Sequence, residues 1–180
     1  YFPHFRMEDS KQFIMNICEQ LESPERILPG GYVYMSDLLS DPETVREIGK
    51  TFVTAFHDRT IDAVVTVETK GIPLAYAIAN YLNVPVIIIR RNLKVTEGSS
   101  VSINYVSGRS QRIQTMVLPK RHLKQGMHVC IVDDFMKAGG TINGMISLLQ
   151  EFDATVSAIG VLAEVVDEEN RVINDYTSLI

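Results

Sequence analysis

Two adjacent carboxylates and a glycine pair flank the most distinctive loop of this sequence. Asp133 and Asp134 follow the apolar run 128–132, and the glycine pair 139–140 precedes apolar residues at helical spacing from 142 to 149. This order predicts a strand, a loop and a helix. In a parallel sheet such a loop lies at the carboxyl end of a strand, where the N–H groups of the helix start attract phosphate and glycines let the backbone approach it. The carboxylates lie where sugar hydroxyls would be, so this loop can hold a ribose phosphate by both ends.

A second loop with the same placement precedes it in the chain. Glu68-Thr69-Lys70-Gly71 follows the apolar run 63–67 and opens a helical pattern. Its backbone amides and the Lys70 ammonium group can meet another phosphate group. Each loop alone is also compatible with an ordinary surface turn, because short motifs are weak signals. The two loops in succession favour a phosphate-binding site.

The elements around these loops predict a single α/β domain of 180 residues. It has a doubly wound, mostly parallel sheet with helices on both faces and a projecting β-hairpin. The first predicted elements are a linker at 1–9, a helix from Ser10 to Leu21, a turn-rich piece with a short strand, and a helix that starts at Asp41-Pro42-Glu43. A βα unit follows, with strands Ala63 to Val67 and Val86 to Ile89 around a helix from Pro73 to Leu82. The remaining elements are a hairpin of Val101 to Val106 and Arg112 to Val117, the strand and helix of the acidic loop, and a strand from Ser157 to Val165 before a polar last segment.

Composition limits the classes of function. The net charge of −5 argues against a chain that binds nucleic acid over its whole surface, but Arg90 to Lys137 holds nine Lys or Arg against three acids. Such a segment can be an ordinary solvated face. Here we interpret it as one basic region around the glycine loop, which suits a polyanionic ligand, with DNA at its rim as a further expectation. The apolar runs are shorter than the roughly 20 residues that span a bilayer, and no signal-peptide pattern is present, so we expect a cytoplasmic protein. Cys18 and Cys130 fall on apolar patterns and are predicted to be reduced core residues.

The acidic loop resembles the signature of the type I phosphoribosyltransferases: an apolar strand, two acids, two apolar residues, two small residues and Gly-x-Thr. One departure is clear, because Lys137 and Ala138 stand where these enzymes carry small or hydroxylated residues. The resemblance implies that the loop at 68–71 holds the pyrophosphate of phosphoribosyl pyrophosphate, with magnesium, and that Lys94 to Val117 is a flexible loop that closes over the ligand. The ligand-binding residues implied by the motifs and the resemblance are Tyr32, Thr69, Lys70, Gly71, Lys94, Asp133, Asp134, Phe135, Lys137, Ala138, Gly139, Gly140 and Thr141.

Within that family the sequence is similar to the effector domain of the purine operon repressors of Gram-positive bacteria. The stretches ERILPGGYVY, TKGIPLAYA, KVTEGSSVSINYVSG and DDFMKAGGTINGM carry this resemblance, which includes Lys137. It implies a regulator with an N-terminal winged-helix DNA-binding domain, for which phosphoribosyl pyrophosphate is the inducer. No helix-turn-helix pattern is present in these residues, so we expect this chain to be the effector domain, with purine nucleotides or alarmones as competing ligands.

Two alternatives follow from the same residues. The chain resembles xanthine phosphoribosyltransferase as well, so transfer of ribose phosphate to a purine base is the alternative function. Catalysis needs a base pocket, and Lys137 crowds the position that an incoming base requires. Tyr32 can stack on a base or be an ordinary core aromatic residue. The third hypothesis is that the domain mainly forms a homodimer, since members of the family are commonly dimers. We expect a non-catalytic sensor.

Overall fold

A five-stranded, fully parallel sheet forms the centre of the molecule in the computed structural model. The structure describes the backbone of residues 7–29, 32–92, 98–107, 112–166 and 169–180, and their side chains except those of residues 7–11 and 32. The helices are α1 (Met7–Leu21), α2 (Ser36–Ser40), α3 (Pro42–Ala55), α4 (Gly71–Leu82) and α5 (Gly140–Gln150). The strands are β1 (Ile27–Leu28), β2 (Tyr32–Val33), β3 (Ala63–Val67), β4 (Val86–Ile89), β5 (Ser100–Val106), β6 (Ile113–Pro119), β7 (His128–Met136), β8 (Thr155–Glu164) and β9 (Thr177–Ser178).

The central sheet has helices on both faces, as predicted. Its strand order is β4-β3-β7-β8-β9, and every neighbouring pair is parallel. The crossover through α4 leads from β3 to one edge, and the crossover through α5 leads from β7 toward the other. Because such crossovers are right-handed, the two helices cover opposite faces. Val64 accordingly packs with α1 to α4, whereas Val65 packs with α5 and the hairpin.

Helix α3 begins as its sequence predicts. Asp41 is the N-cap, with Pro42 in the first turn, and its side chain accepts a hydrogen bond from the Thr44 backbone N–H at 2.8 Å. Hydrogen bonds from the Thr44 side chain and from its backbone N–H lower the pKa of the Asp41 carboxyl group. The predicted apolar stripe is buried at Val45, Ile48 and Phe52. This helix covers the sheet face that also carries α4.

Strands β5 and β6 form the predicted antiparallel hairpin. Tyr105, Met116 and Leu118 are buried against α5, and Arg90 exchanges two backbone hydrogen bonds with Val117, of 3.0 and 2.8 Å. The two hydrogen bonds between Arg90 and Val117 tie the hairpin to the edge of the sheet just after β4. Residues 108–111 of the predicted turn lie outside the described residues.

Several elements differ from the sequence predictions; α4, for example, begins at Gly71 rather than Pro73, and β8 at Thr155 rather than Ser157. Helix α1 begins at Met7 rather than Ser10, so residues 7–9 are helical and not linker. The last segment, predicted to be only polar, contains β9. Strand β7 runs through the acids to Met136 because its ladder with β8 continues to the pair of Met136 and Glu164. Tertiary pairing here overrides the low strand propensity of aspartate.

Other features of the fold concern the cysteines and the helix lengths. Both cysteines are free; Cys130 is fully buried and Cys18 is half-buried. Burial raises the pKa of the Cys130 thiol to about 12, so it stays protonated and unreactive. Among the helices in the described ranges, none is long and apolar enough to cross a membrane.

Candidate functional site

The site lies where the sheet reverses its strand order. From β3 the chain crosses toward β4, and from β7 it crosses toward β8, so the carboxyl ends of β3 and β7 diverge into a crevice. The pairing of these strands stops at Val65 and Ile131, while β7 continues to Met136. A cavity of about 380 Å³ opens there and is lined by both predicted phosphate loops. The two loops predicted from the sequence therefore meet at one cavity, between the ends of β3 and β7.

The glycine loop forms one end of the cavity. Lys137, Ala138, Gly139, Gly140 and Thr141 all line it, as predicted. Gly139 has a φ of 86°, a left-handed conformation that favours glycine, and α5 begins at the next residue. The first backbone N–H groups of α5 have no intrahelical partner and lie at this end of the cavity. The loop can therefore bind an anion through its backbone.

The acid pair lies between the two loops. Asp133 is buried and Asp134 is half-buried, and the Asp134 backbone N–H donates to Asp133 Oδ1 at 2.9 Å. Burial and the neighbouring Asp134 charge raise the pKa of Asp133 well above its usual range. Burial also raises the pKa of Asp134, against the opposing effect of the Lys70 ammonium group. Ligand hydroxyl groups that donate to these oxygens would replace the lost hydration.

The loop 68–70 forms the opposite end. Glu68, Thr69 and Lys70 line the cavity, but Gly71 does not, which corrects its predicted role. Gly71 is buried where α4 starts, and a Cβ there would lie 2.2 Å from Thr66 Oγ1. Glycine is therefore required for the close approach of α4 to β3, and not for contact with a ligand.

Arg91 also lines the cavity, although the sequence did not single it out. Its backbone N–H donates to Glu68 Oε1 at 2.7 Å and its Nε to the Glu68 carbonyl at 3.1 Å. One terminal nitrogen donates to Gln114 Oε1 at 2.7 Å, and the Tyr105 hydroxyl donates to the same oxygen at 2.8 Å. Arg91 and Lys70 thus place two cations at this end. The available signal was an arginine pair directly after a buried strand.

The remaining wall of the cavity is apolar. It is built from Leu28, Val33, Met35, Val67, Phe135, Met136 and Ile142. Phe135 lines the cavity as predicted. Tyr32 belongs to β2, but its side chain lies outside the described part of the structure, and so does the whole of Lys94. The predicted roles of these two residues stay predictions.

The basic segment from Arg90 to Lys137 is not one patch around the glycine loop, contrary to the sequence interpretation. Arg91 and Lys137 line the cavity. Lys120, Arg121 and Lys124 are exposed near the end of the hairpin where Ser100 pairs with Pro119, whereas the opposite end supplies Ser107 and Gln114 to the cavity. The antiparallel strands separate these two groups of cations because each strand is seven residues long.

Comparisons with known proteins agree with this geometry. Residues 35–180 match the sequence model of the phosphoribosyl transferase domain. The chain belongs to that family. In the solved structure of adenine phosphoribosyltransferase from Saccharomyces cerevisiae the fold is the same, with a TM-score of 0.80 at 17% identity over 94% of this chain and 99% of that one. The fold predicted from the motifs is confirmed.

Two regulators are more similar to this phosphoribosyltransferase domain in sequence. The whole chain is 57% identical to the purine biosynthesis transcriptional repressor PurR of Bacillus subtilis (strain 168) and 45% identical to the purine biosynthesis transcriptional activator PurR of Lactococcus lactis subsp. lactis (strain IL1403). It spans 63% and 66% of these proteins, so less than two thirds of each. The xanthine phosphoribosyltransferase of Leuconostoc mesenteroides is 30% identical over 89% of this chain and 88% of the enzyme. The predicted resemblance to purine regulators is confirmed.

Proposed function

We propose that this domain is the effector-binding domain of a transcriptional regulator of purine biosynthesis genes, and that phosphoribosyl pyrophosphate is its effector. One observation carries the proposal: an acid pair, a glycine loop and a cationic loop surround a single cavity in a chain that is 57% identical to such a repressor. Whether the regulator represses or activates transcription depends on the whole protein, since relatives named as repressor and as activator both match. By the resemblance stated above, the effector acts as inducer of a repressor.

The three parts of the cavity fit the three parts of this ligand. The N–H groups of residues 137–141 suit the 5′-phosphate at the start of α5. Asp133 and Asp134 accept hydrogen bonds from the ribose hydroxyl groups. Lys70, Thr69 and the guanidinium group of Arg91 suit the pyrophosphate at the opposite end. The resemblance implies Lys94 as a further cation for the pyrophosphate.

Magnesium fits the site as a companion of the ligand. Among the described residues there is no group of three or more His, Cys, Asp or Glu side chains that could hold a metal ion. Mg²⁺ in nucleotide sites takes one or two carboxylates, phosphate oxygens and water. Three carboxylates line the cavity, and the one on Glu68 is already bonded to Arg90 and Arg91. Asp133 and Asp134 would therefore hold the ion together with the ligand's own oxygens. The ion would neutralise charge on the pyrophosphate.

We infer that the domain does not transfer the ribose phosphate. Lys137 lines the cavity beside the acid pair, where the enzymes keep a small residue. The rest of the lining is mostly apolar, with Ser107 and Gln114 as its polar side chains, and the Gln114 oxygen is already occupied by Arg91 and Tyr105. A purine base would therefore find a surface to pack on but few groups to orient it. The competing ligands that suit such a wall are purine nucleotides, including alarmones, which combine a base with phosphate groups.

The alternative function is that of a purine phosphoribosyltransferase. The 30% identity with a xanthine phosphoribosyltransferase over most of both chains favours it, as does the retained acid pair. Steady release of pyrophosphate with xanthine, guanine, hypoxanthine or adenine, at about 1 per second or faster, would support this enzyme. Absence of turnover with all four, in a protein that binds the effector, would support the sensor.

The whole regulator would contain more than this domain. The remaining third of the related regulators would carry the winged-helix domain that binds operator DNA, and a homodimer would match the two-fold symmetry of paired half-sites. Lys120, Arg121 and Lys124 are exposed cations of the basic segment that do not line the effector cavity. They are available for contacts with DNA phosphates.

A calorimetric titration tests the proposal. Phosphoribosyl pyrophosphate with magnesium should bind with one site per chain, and the pyrophosphate-release assay on the same sample should show no turnover. Binding that is absent with folded protein would overturn the proposed effector. The four purine bases are added together with the effector in that assay, because the pyrophosphate that an enzyme would release comes from phosphoribosyl pyrophosphate.

A further inference from the structure

The C-terminal segment packs against the back of the glycine loop. We call Arg171, Val172 and Ile173 the C-terminal clamp. The Val172 N–H donates to the Ala138 carbonyl at 2.9 Å, and Ile173 is buried against Met136 in the core of that sheet face. None of the three clamp residues lines the cavity. They therefore contact the loop from the side opposite to the ligand.

The hydrogen bonds of the clamp determine where the loop amides point. In a trans peptide the carbonyl oxygen and the following N–H point in opposite directions. The Ala138 carbonyl points to Val172, so the Gly139 N–H points away from the clamp. The Val165 N–H likewise binds the Met136 carbonyl at 3.0 Å, which turns the Lys137 N–H toward the crevice. Two amides are thus presented together on the cavity side.

Two side chains fix the clamp itself. Ile173 fills the space where Gly139 lacks a side chain, because a Cβ at Gly139 would lie 2.9 Å from Ile173 Cγ1. The Arg171 guanidinium group donates to Glu164, to the Tyr176 hydroxyl and to the Val165 carbonyl. Arg171 therefore links the end of β8 to the segment that leads into β9. The clamp is held at both ends, by the sheet and by the loop.

We propose that the C-terminal clamp positions the glycine loop for a sugar phosphate, with Ile173 and Arg171 as positioning residues. This inference rests on the proposed function and deepens it, because it assigns the 5′-phosphate subsite to a preformed set of amides. The clamp contacts the glycine loop, which forms one end of the cavity, whereas the loop 68–70 and Arg91 lie at the other end. Loss of the clamp should therefore weaken recognition of the sugar phosphate and leave recognition of pyrophosphate intact.

The test titrates ribose 5-phosphate, inorganic pyrophosphate and phosphoribosyl pyrophosphate into the wild type and into Ile173→Ala. We expect ribose 5-phosphate and phosphoribosyl pyrophosphate to bind about fivefold or more weakly, and pyrophosphate to bind unchanged. Ile27→Ala is the matched control, because it makes the same truncation at a side chain that is 54% exposed, lies outside the clamp and does not line the cavity. Arg171→Gln should follow Ile173→Ala, and Arg171→Lys should recover part of the loss. If Ile173→Ala does not fold, Ile173→Val replaces it with a smaller effect in the same direction.

Unchanged affinities in Ile173→Ala would overturn the clamp, and so would an equal loss for all three ligands, which indicates a general structural role. If the wild type binds none of the three ligands, the proposed function is wrong. The clamp is then tested separately by measuring amide hydrogen exchange. The Val172 amide should then exchange faster in Ile173→Ala, while the Leu179 amide, which donates to Val161 at 3.1 Å, should be unaffected. Equal exchange of Val172 in both proteins would contradict the clamp.

Discussion

The two loops at the ends of the crevice offer different kinds of anion site. The glycine loop offers backbone N–H groups at the start of α5 and is supported from behind by buried side chains. The opposite end offers two cationic side chains, Lys70 from the loop 68–70 and Arg91 from the residues after β4, and Arg91 is fixed by Glu68 and Gln114. Backbone amides select by position, whereas side-chain cations select mainly by charge. Under the proposed function, the acid pair between the loops distinguishes a ligand that contains a sugar from a plain polyphosphate.

The largest expected effect comes from Gly139→Ala. A left-handed φ of 86° costs about 1 to 2 kcal/mol for a residue with a Cβ, and that Cβ would collide with Ile173. We expect ribose 5-phosphate to bind about 30-fold more weakly and pyrophosphate to bind as before. Gly98→Ala has a similar φ of 77° with open space around it, and it serves as the control. A parallel loss of pyrophosphate binding would mean that the two ends do not act separately.

Asp134→Asn tests the part of the site between the loops. The substitution removes a charged acceptor, and losing a charge-assisted hydrogen bond costs about 1.5 to 3 kcal/mol, or tenfold and more in the dissociation constant. Calorimetry with phosphoribosyl pyrophosphate should show this loss. Asp153→Asn removes an exposed carboxylate that does not line the cavity and should leave the affinity unchanged. Unchanged affinity in folded Asp134→Asn would sink the ribose assignment.

Arg91→Gln tests the cationic end. It removes one of the two cations there, so pyrophosphate and phosphoribosyl pyrophosphate should bind about fivefold to tenfold more weakly. Ribose 5-phosphate should be unaffected, which is the reverse of the pattern expected for Gly139→Ala. Lys120→Gln is the control, because it removes an exposed cation that does not line the cavity. Equal losses for all ligands in Arg91→Gln would show that the site only measures total charge.

The smallest effect concerns stability. A carboxyl group whose pKa is raised by folding stabilises the folded state at pH values below its unfolded pKa, and that contribution is lost as the pH rises through the folded pKa. Burial and Asp134 raise the pKa of Asp133 in this way, so its ionised form costs stability near neutral pH. Asp133→Asn should therefore raise the melting temperature of the ligand-free domain by about 2 to 4 °C at pH 7 and by less at acidic pH. The same variant should lose affinity for phosphoribosyl pyrophosphate. A melting temperature that falls at pH 7 would contradict this account of the acid pair.

The residues of the candidate site could be predicted wherever the local sequence pattern and the position in the sheet indicate the same loop. The acids, the glycine loop and the loop 68–70 follow apolar strands directly, so their meeting at one edge followed from a parallel sheet. The length of β7 was wrong because ladder pairing with β8 outweighs the preferences of two aspartates. Gly71 was assigned to the ligand, since a glycine that opens a helix indicates close packing and phosphate binding equally well.

Residues that act across long sequence separations could not be predicted. Arg91 reaches the cavity because β4 pairs with β3 and because Gln114, on the hairpin, holds its guanidinium group. Ile173 and Arg171 lie more than 30 residues after the loop they support and follow no helical or strand period. The basic segment was interpreted as one patch because the sequence does not show that the β5–β6 hairpin places the cations at its two ends far apart.

The central claim is that the acid pair and both loops together sense phosphoribosyl pyrophosphate in a DNA-binding regulator. An operator-binding titration of the full-length protein tests it, with phosphoribosyl pyrophosphate and inorganic pyrophosphate compared at constant ionic strength. Since DNA and effector must shift each other's affinity by the same factor, we expect phosphoribosyl pyrophosphate to change operator affinity by about 5- to 150-fold. Pyrophosphate should change it far less, because it cannot reach Asp133, Asp134 and the glycine loop. An equal effect of both ligands would contradict recognition of the sugar, and no effect of either would contradict the sensor.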